Sequence, residues 1–253
     1  MTPYTQPDAS PGARPSGTSD EAAASQAVRE MFDSIAPRYD LLNHVLSASI
    51  DRLWWHRTAR LFRPILARPE ARVLDLCCGT GDMTLALLKH RPKGAQPLLA
   101  VDFAHQMLVR GAKKFASLNA IAIEADALRL PIADASLDLV TTAFGFRNLA
   151  NYDAGLAELL RVLRPGGELG ILDFSQPAGL AGKLYAFYFG HLLPAIGSLI
   201  SGVAGPYAYL PSSVERFPAP DVMLQILAAA GFVNPTWTPY TFGIAGLYRA
   251  TAA

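Results

Sequence analysis

Cysteine is almost missing from this chain: of 253 residues only Cys77 and Cys78 are cysteines, and they are neighbours. Adjacent cysteines rarely bridge each other and these have no others to pair with, so a disulfide framework is excluded and a reducing, cytoplasmic compartment is expected. With no histidine clustered beside them they do not resemble a zinc site, and no metal is expected; both thiols read as small core fillers. An excess of charge is missing as well. Lys and Arg total 22 against 21 Asp and Glu, and no Lys/Arg run exceeds two residues, so no nucleic-acid footprint is visible. The first 20 residues lack the apolar core of a signal peptide and are punctuated by Pro3, Pro7, Pro11, Pro15, Gly12 and Gly17, which predicts a disordered leader over 1–21. Internal repeats are absent too.

What is there begins with Arg72-Val73-Leu74-Asp75-Leu76-Cys77-Cys78-Gly79-Thr80-Gly81-Asp82. A short apolar run ending in small residues and followed at once by helical periodicity predicts a buried strand turning tightly into a helix. Gly79 and Gly81 let the backbone approach a ligand and take positive φ, while the helix aims its first amides at the same spot. The spacing is wrong for a pyrophosphate-binding G-x-G-x-x-G turn, which would need glycine where Cys77 and Asp82 stand. Asp82 would moreover repel a pyrophosphate. A cationic, phosphate-free ligand such as S-adenosylmethionine meets no such repulsion, and Asp75 and Asp82 would place negative charge near its sulfonium and amino groups. This spacing argues against an NAD-dependent oxidoreductase.

Ahead of this turn, residues 22–66 read as an amphipathic helical cap broken at Ala36-Pro37, with Val28, Met31, Phe32 and Ile35 on one face and Tyr39 and Asp40 directly after the break. After it, strands are predicted at 97–102, 121–124, 136–143 and 168–174, with helices at 105–114 and 153–163. Asp102 ends the second strand about 20 residues beyond the glycines, where a carboxylate can accept both hydroxyls of an adenosine ribose. Asp126 follows the third strand and can take an adenine amino group. The fourth strand runs into Phe144-Gly145-Phe146-Arg147-Asn148, a second chemical loop, since ligands of an open parallel sheet sit beyond the carboxyl ends of its strands. Arg147 either donates to a substrate there or pairs with a nearby acid as scaffold. Arg164-Pro165-Gly166-Gly167 reads as a plain turn. The mostly apolar stretch 184–205 carries His191, Pro194, Ser198 and Ser201, so within an insertion at 176–218 it reads as a lid over an apolar substrate rather than a membrane span. A helix from Asp221 and a closing antiparallel pair, 232–237 and 242–249, complete a single domain over 22–253.

Residues 73–82, Asp102 and Arg164-Pro165-Gly166-Gly167 together resemble the class I S-adenosylmethionine-dependent methyltransferases. Five further stretches are more specific: Met31-Phe32-Asp33-Ser34-Ile35-Ala36-Pro37-Arg38-Tyr39-Asp40, Ala143-Phe144-Gly145-Phe146-Arg147-Asn148, Leu172-Asp173-Phe174-Ser175, Tyr209-Leu210-Pro211-Ser212-Ser213 and Arg216-Phe217-Pro218. With them the chain resembles the ubiquinone/menaquinone biosynthesis C-methyltransferases, over roughly residues 28–250. The resemblance implies an α/β, Rossmann-like domain with a seven-stranded, mostly parallel sheet, its last strand antiparallel and helices on both faces. It implies S-adenosyl-L-methionine as cofactor and methylation of a ring carbon on a prenylated quinol, a demethylmenaquinol or the benzoquinol of the ubiquinone pathway. Carried over by position, cofactor contacts fall on Thr80, Asp102, Asp126, Ala127 and Ala143, beside Asp75, Gly79 and Gly81 of the turn. At Ala143 the family commonly has serine, so one hydroxyl is missing here. Asp173 stands where glutamate is frequent, and Cys77-Cys78 where an alanine or glycine pair is. Arg147 and Asn148, with Tyr39 from the cap, are the expected catalytic residues. The expected partners are the quinol, the inner face of the cytoplasmic membrane by peripheral contact, and a second copy of the chain, with no nucleic acid. The competing readings are a methyltransferase of another lipid or small metabolite and a non-catalytic S-adenosylmethionine-binding or assembly protein.

Overall fold

The computed structural model describes residues 12–40, 47, 49–177, 179, 182 and 205–253. The apolar stretch 184–205 therefore lies outside the described residues apart from its last position, as does the greater part of the expected lid insertion. Among the described residues no helix is long and apolar enough to cross a membrane.

Seven strands form one sheet in the order β3-β2-β1-β4-β5-β7-β6. They are β1 (Val73–Leu76), β2 (Leu98–Asp102), β3 (Ala120–Glu124), β4 (Leu137–Ala143), β5 (Leu163–Phe174), β6 (Phe232–Tyr240) and β7 (Ala245–Ala252). The first five run parallel, with Leu74 beside Leu99 on one side and Val140 on the other. β7 is antiparallel to both β5 and β6. The sheet is thus the mostly parallel one expected, with its last strand reversed.

Every residue of β1 is buried because both faces of the sheet are covered. Alternation sends Leu74, Leu76, Val140 and Ile171 into a core beneath α6 (Tyr152–Val162) and α8 (Pro220–Ala229). It sends Val73, Leu139 and Leu172 to the other face, beneath α2 (Ile50–Leu61), α3 (Arg63–Leu66) and α4 (Asp82–Leu88). α1 (Glu21–Ile35), capped by the Asp20 carboxylate, lies against α5 (His105–Lys114). Strand order reverses between β1 and β4, so the carboxyl ends of these two strands open the crevice in which such sheets bind ligands.

Four boundaries differ from the sequence-based expectation. Residues 12–20 carry no helix or strand, yet Ala13 is 3% exposed, its amide donates to the Leu149 carbonyl, and Arg14 Nη1 donates to the Ala150 carbonyl at 2.6 Å. Disorder was expected there because proline and glycine disfavour regular structure; backbone and side-chain bonds to the main body tie the segment down regardless. β5 already pairs at Leu163 with Leu137, and Arg164-Pro165-Gly166-Gly167 forms an irregular excursion within the strand, with Gly166 at φ 77°. β6 continues through Pro239, which an edge strand tolerates because one side of its backbone needs no ladder partner, and the chain reverses at 241–243 instead. Finally, Tyr209, Ser213 and Arg216 belong to α7 (Gly205–Arg216), which carries Pro211 inside it.

Candidate active site

The turn after β1 holds its shape through backbone conformations that few residues adopt. Cys77, Gly79 and Gly81 all have positive φ, at 54°, 54° and 87°. Gly81 caps α4 with the Phe115 ring pressed against it, where a Cβ would lie 2.9 Å from the ring carbons. Asp102 locks the turn to β2. Its Oδ2 accepts from the Gly79 amide at 2.7 Å and its Oδ1 from the Ala104 amide at 2.8 Å. Burial raises its pKa from 3.8 to about 6, against the lowering effect of these backbone donors.

A cavity that is open to solvent lies over this turn. Tyr39, Gly79, Asp102, Asp126, Ala127, Ala143 and Asn148 of the expected site residues line it, together with the apolar Phe32, Phe103, Met107, Leu128 and Phe144. The fit to a nucleoside is chemical. One carboxylate stands at its wall with lone pairs remaining beyond its two backbone bonds, a glycine lets the chain pass close, and a second carboxylate, Asp126, accepts one backbone bond from Leu128 and is otherwise exposed. Phe103, Met107 and Leu128 supply apolar contact surface.

A family model described as the ubiE/COQ5 methyltransferase family matches residues 20–252. The chain belongs to that family. It is 49% identical over 233 residues to a demethylmenaquinone methyltransferase of Deinococcus radiodurans, covering 90% of this chain and 94% of the relative. It is 47% identical to one of Thermus thermophilus, covering 86% and 98%. It is 40% identical to a ubiquinone/menaquinone biosynthesis C-methyltransferase of Geobacter sulfurreducens, covering 88% and 87%. Among solved structures, the [4+2]-cyclase SpnF shares the fold at a TM-score of 0.64 and 17% identity, covering 96% of this chain and 98% of that one. A methyltransferase from Thermotoga maritima shares it at 0.62 and 15%, covering 89% and 100%. The protein is a methyltransferase, and S-adenosyl-L-methionine is its cofactor.

Within this ubiE/COQ5 member five residues expected at the site do not line the cavity. Asp75 is fully buried beneath it, accepting from Thr84 Oγ1 at 2.6 Å and Thr141 Oγ1 at 3.3 Å. Burial pushes its pKa up to about 7. Strand alternation decides this: Leu76 lines the cavity, and Asp75 faces away toward α4. Asp82 forms an ion pair with Lys114 at 3.1 Å, so its charge is balanced within the protein. The Thr80 hydroxyl donates a hydrogen bond to Asp40 Oδ1 of the cap at 2.5 Å, and Gly81 serves as the helix cap.

The fifth is Arg147. It is 6% exposed and sits under the second loop rather than in the cavity wall. Nη1 donates to Asp173 Oδ1 at 2.8 Å and to the Phe144 carbonyl, Nε donates to Ser213 Oγ at 3.3 Å, and the Arg147 amide donates to Asp173 Oδ2 at 3.1 Å. Burial opposes its charge, but the Asp173 carboxylate outweighs that and raises its pKa. Among the described residues its side-chain hydrogen bonds run to Asp173, Phe144 and Ser213, within the protein. What it holds is the loop that does reach the cavity: Phe144, at φ 59°, and Asn148, whose Oδ1 accepts from Tyr209 at 3.1 Å. Gly145 permits the loop to lie on Cys77, since a Cβ there would fall 2.3 Å from the cysteine Cβ. Cys77 lines the cavity and Cys78 is buried; burial and the Asp102 charge raise both thiol pKa values, in keeping with unreactive fillers.

Sequence reasoning missed the network that closes the cap. Ser25, Phe32 and Tyr39, spaced by seven residues, present one face of the cap to the cavity, a periodicity that was there to be read. The cap is held by Asp33 Oδ1 accepting from the Gln106 amide at 2.8 Å, by Arg29 paired with Glu124, and by Lys114 bridging Asp40 at 2.6 Å and Asp82. Asp173, noted in the sequence only as an acid standing where glutamate is frequent, proves to be the counterion of Arg147.

Proposed function

We propose that this methyltransferase adds a methyl group to a ring carbon of a prenylated hydroquinone, with a demethylmenaquinol-type naphthoquinol as substrate and a ubiquinone-type benzoquinol as the second ring it is to be tried on. The observation that carries the reading is the 49% identity, along nearly the whole length, to a protein named for demethylmenaquinone methylation.

A ring carbon ortho to a phenolic oxygen is electron-rich, and more so once the phenolic proton leaves, so no covalent enzyme nucleophile is required. The bound cofactor supplies an electrophilic methyl group. The chain's own work is binding and alignment, with Asp102 available to the ribose and Asp126 to the adenine amino group. Asn148 is suited to hold the quinol oxygen. Its Nδ2 carries two protons and spends one on a long bond to the Phe144 carbonyl, 3.3 Å, while its Oδ1 is fixed by Tyr209. With Oδ1 fixed by Tyr209, the remaining Nδ2 proton is available to charge developing on a substrate oxygen. Tyr39 is the second hydrogen-bonding group at the cavity, and Phe144 with Phe32 gives an aromatic ring apolar surroundings. Arg147 acts through Asn148 and Phe144 as a positioning residue.

The test is transfer of label from S-adenosylmethionine to reduced demethylmenaquinol and to the reduced benzoquinol in detergent. Label on a quinol carbon supports the reading, and the ratio between rings assigns the pathway. Absence of label from both rings, with cofactor binding intact, would move the assignment to another lipid or small metabolite.

A further inference from the structure

The outer face of α2 carries an unusual surface. Seven large hydrophobic side chains are exposed among the described residues, and four of them lie here: Ile50, Leu53 and Leu61 on α2, and Phe242 in the turn packed beside it. Leu53 is 65% exposed and Phe242 is 87% exposed. The turn is fastened to the helix by Trp54 Nε1 donating to Thr241 Oγ1 at 2.8 Å, by Thr58 bonding the Tyr240 hydroxyl at 3.2 Å, and by Arg57 over the Tyr240 ring. Thr241 and Phe242 take φ values of 43° and 57°, a region that non-glycine side chains rarely adopt, and the backbone there presents a phenyl ring to solvent.

The same face is cationic. Arg52, Arg60 and Arg63 are exposed, and Lys89 at the end of α4 brings its Nζ to 3.5 Å from His56 Nε2. Burial and then the charges of Lys89 and Arg60 lower the His56 pKa, and His90 feels Arg63, Arg60 and Lys89 in the same way, so these cations crowd together. Among the described residues none of Arg52, Arg60, Arg63 and Lys89 forms an ion pair with a carboxylate. In a chain with 22 basic and 21 acidic residues, four unpaired cations on one face are a local asymmetry, and the linear sequence hides it because they come from three helical segments.

We propose that this face, with Leu53 and Phe242 exposed and the cations Arg52, Arg60, Arg63 and Lys89 exposed alongside, docks the enzyme on an anionic lipid bilayer. Exposed apolar side chains among unpaired cations match a headgroup layer that is anionic outside and apolar just beneath. The inner side of the same helix packs against an aromatic ring that lines the cavity. The Trp54 ring lies 5.8 Å from that of Phe144 and 6.1 Å from that of Phe174, so an aromatic path joins the docking face to the cavity wall. The purpose of docking rests on the proposed prenylated substrate, whose tail dissolves in the bilayer.

The test is co-sedimentation of the full chain, without quinol, with phosphatidylcholine vesicles and with vesicles that also contain phosphatidylglycerol. Binding to the anionic vesicles, weak binding to the neutral ones, and release by salt are expected. Arg60→Glu with Arg63→Glu, and separately Leu53→Ser with Phe242→Ser, should each weaken vesicle binding by roughly 30-fold or more. Both should keep the wild-type melting temperature and the wild-type rate on a short-tailed quinol in solution. Failure of the wild type to bind anionic vesicles, or binding by both double variants at wild-type strength, overturns the proposal. So does equal binding to heparin that Leu53→Ser with Phe242→Ser leaves unchanged, since the occupant would then be a soluble polyanion. Vesicle binding without quinol methylation would sink the substrate reading alone; methylation in detergent without vesicle binding would sink only the docking.

Discussion

At the scale of single residues, Arg147 and Asp173 decide whether the second loop keeps its shape. Both are nearly or fully buried, and two polar atoms of Arg147 meet the two carboxylate oxygens of one acid. Removing one partner of such a pair strands a buried charge and costs about 3–5 kcal/mol, while replacing both with apolar groups is often close to neutral. Arg147→Ala and Asp173→Ala should therefore each lower stability by that amount in chemical denaturation. The double variant Arg147→Met with Asp173→Leu should recover much of it yet remain poorly active, because Phe144 and Asn148 have lost their anchor. A double variant with wild-type turnover would contradict the positioning role. Neither this pairing nor the burial of Asp75 could be read from the sequence. Arg147 offered two roles, and only the register of β4 against β5 brings Asp173 under its loop.

At the scale of elements, the cap is an amphipathic helix whose attachment is polar. Lys114 stands at the centre, bridging Asp40 of the cap to Asp82 at the start of α4, while Thr80 of the cofactor turn bonds Asp40 as well. Each of these surface pairs is weak alone, but a shared lysine couples the cap to the turn it covers. Lys114→Met leaves the core untouched. It should raise the KM for the cofactor several-fold with a smaller change in kcat, and should speed proteolysis within residues 21–40. Unchanged KM together with unchanged proteolysis would show that the latch carries no weight. The cap's helical periodicity and its break at Pro37 were readable; its fastening was not, since Lys114 and Asp40 are far apart in the chain and lie in no shared motif.

At the scale of the whole molecule, cofactor binding should appear as stability that depends on pH. A ligand at one hundred times its Kd adds about 2.7 kcal/mol, roughly 5–10 °C for a chain of this size. The sign follows from Asp102. In the role proposed for it at the ribose, its carboxyl, raised to about 6 in the free protein, accepts two hydroxyls in its ionised form, so affinity should fall as pH drops below 6. For the free protein the trend is opposite. Raised carboxyl pKa values at Asp75 and Asp102 contribute stability below pH 3.8 that is lost as pH rises through about 6 to 7. The shift in melting temperature caused by S-adenosylmethionine should hence be larger at pH 8 than at pH 5, and should be largely abolished in Asp102→Ala. A pH-independent shift would remove Asp102 from the ribose. The sequence by itself determined the strand–turn–helix of the cofactor turn, the alternation of strands and helices, and the carboxylates at 102 and 126, because periodicity, glycine and strand ends are local properties of a chain. Only the tertiary structure decided that Asp75 turns away, that Arg147 is anchored from beneath, and that cations from α2, α3 and α4 share one face with Phe242. Those outcomes depend on which segments pack against one another, and burial, ion pairing and surface charge exist only after they have packed.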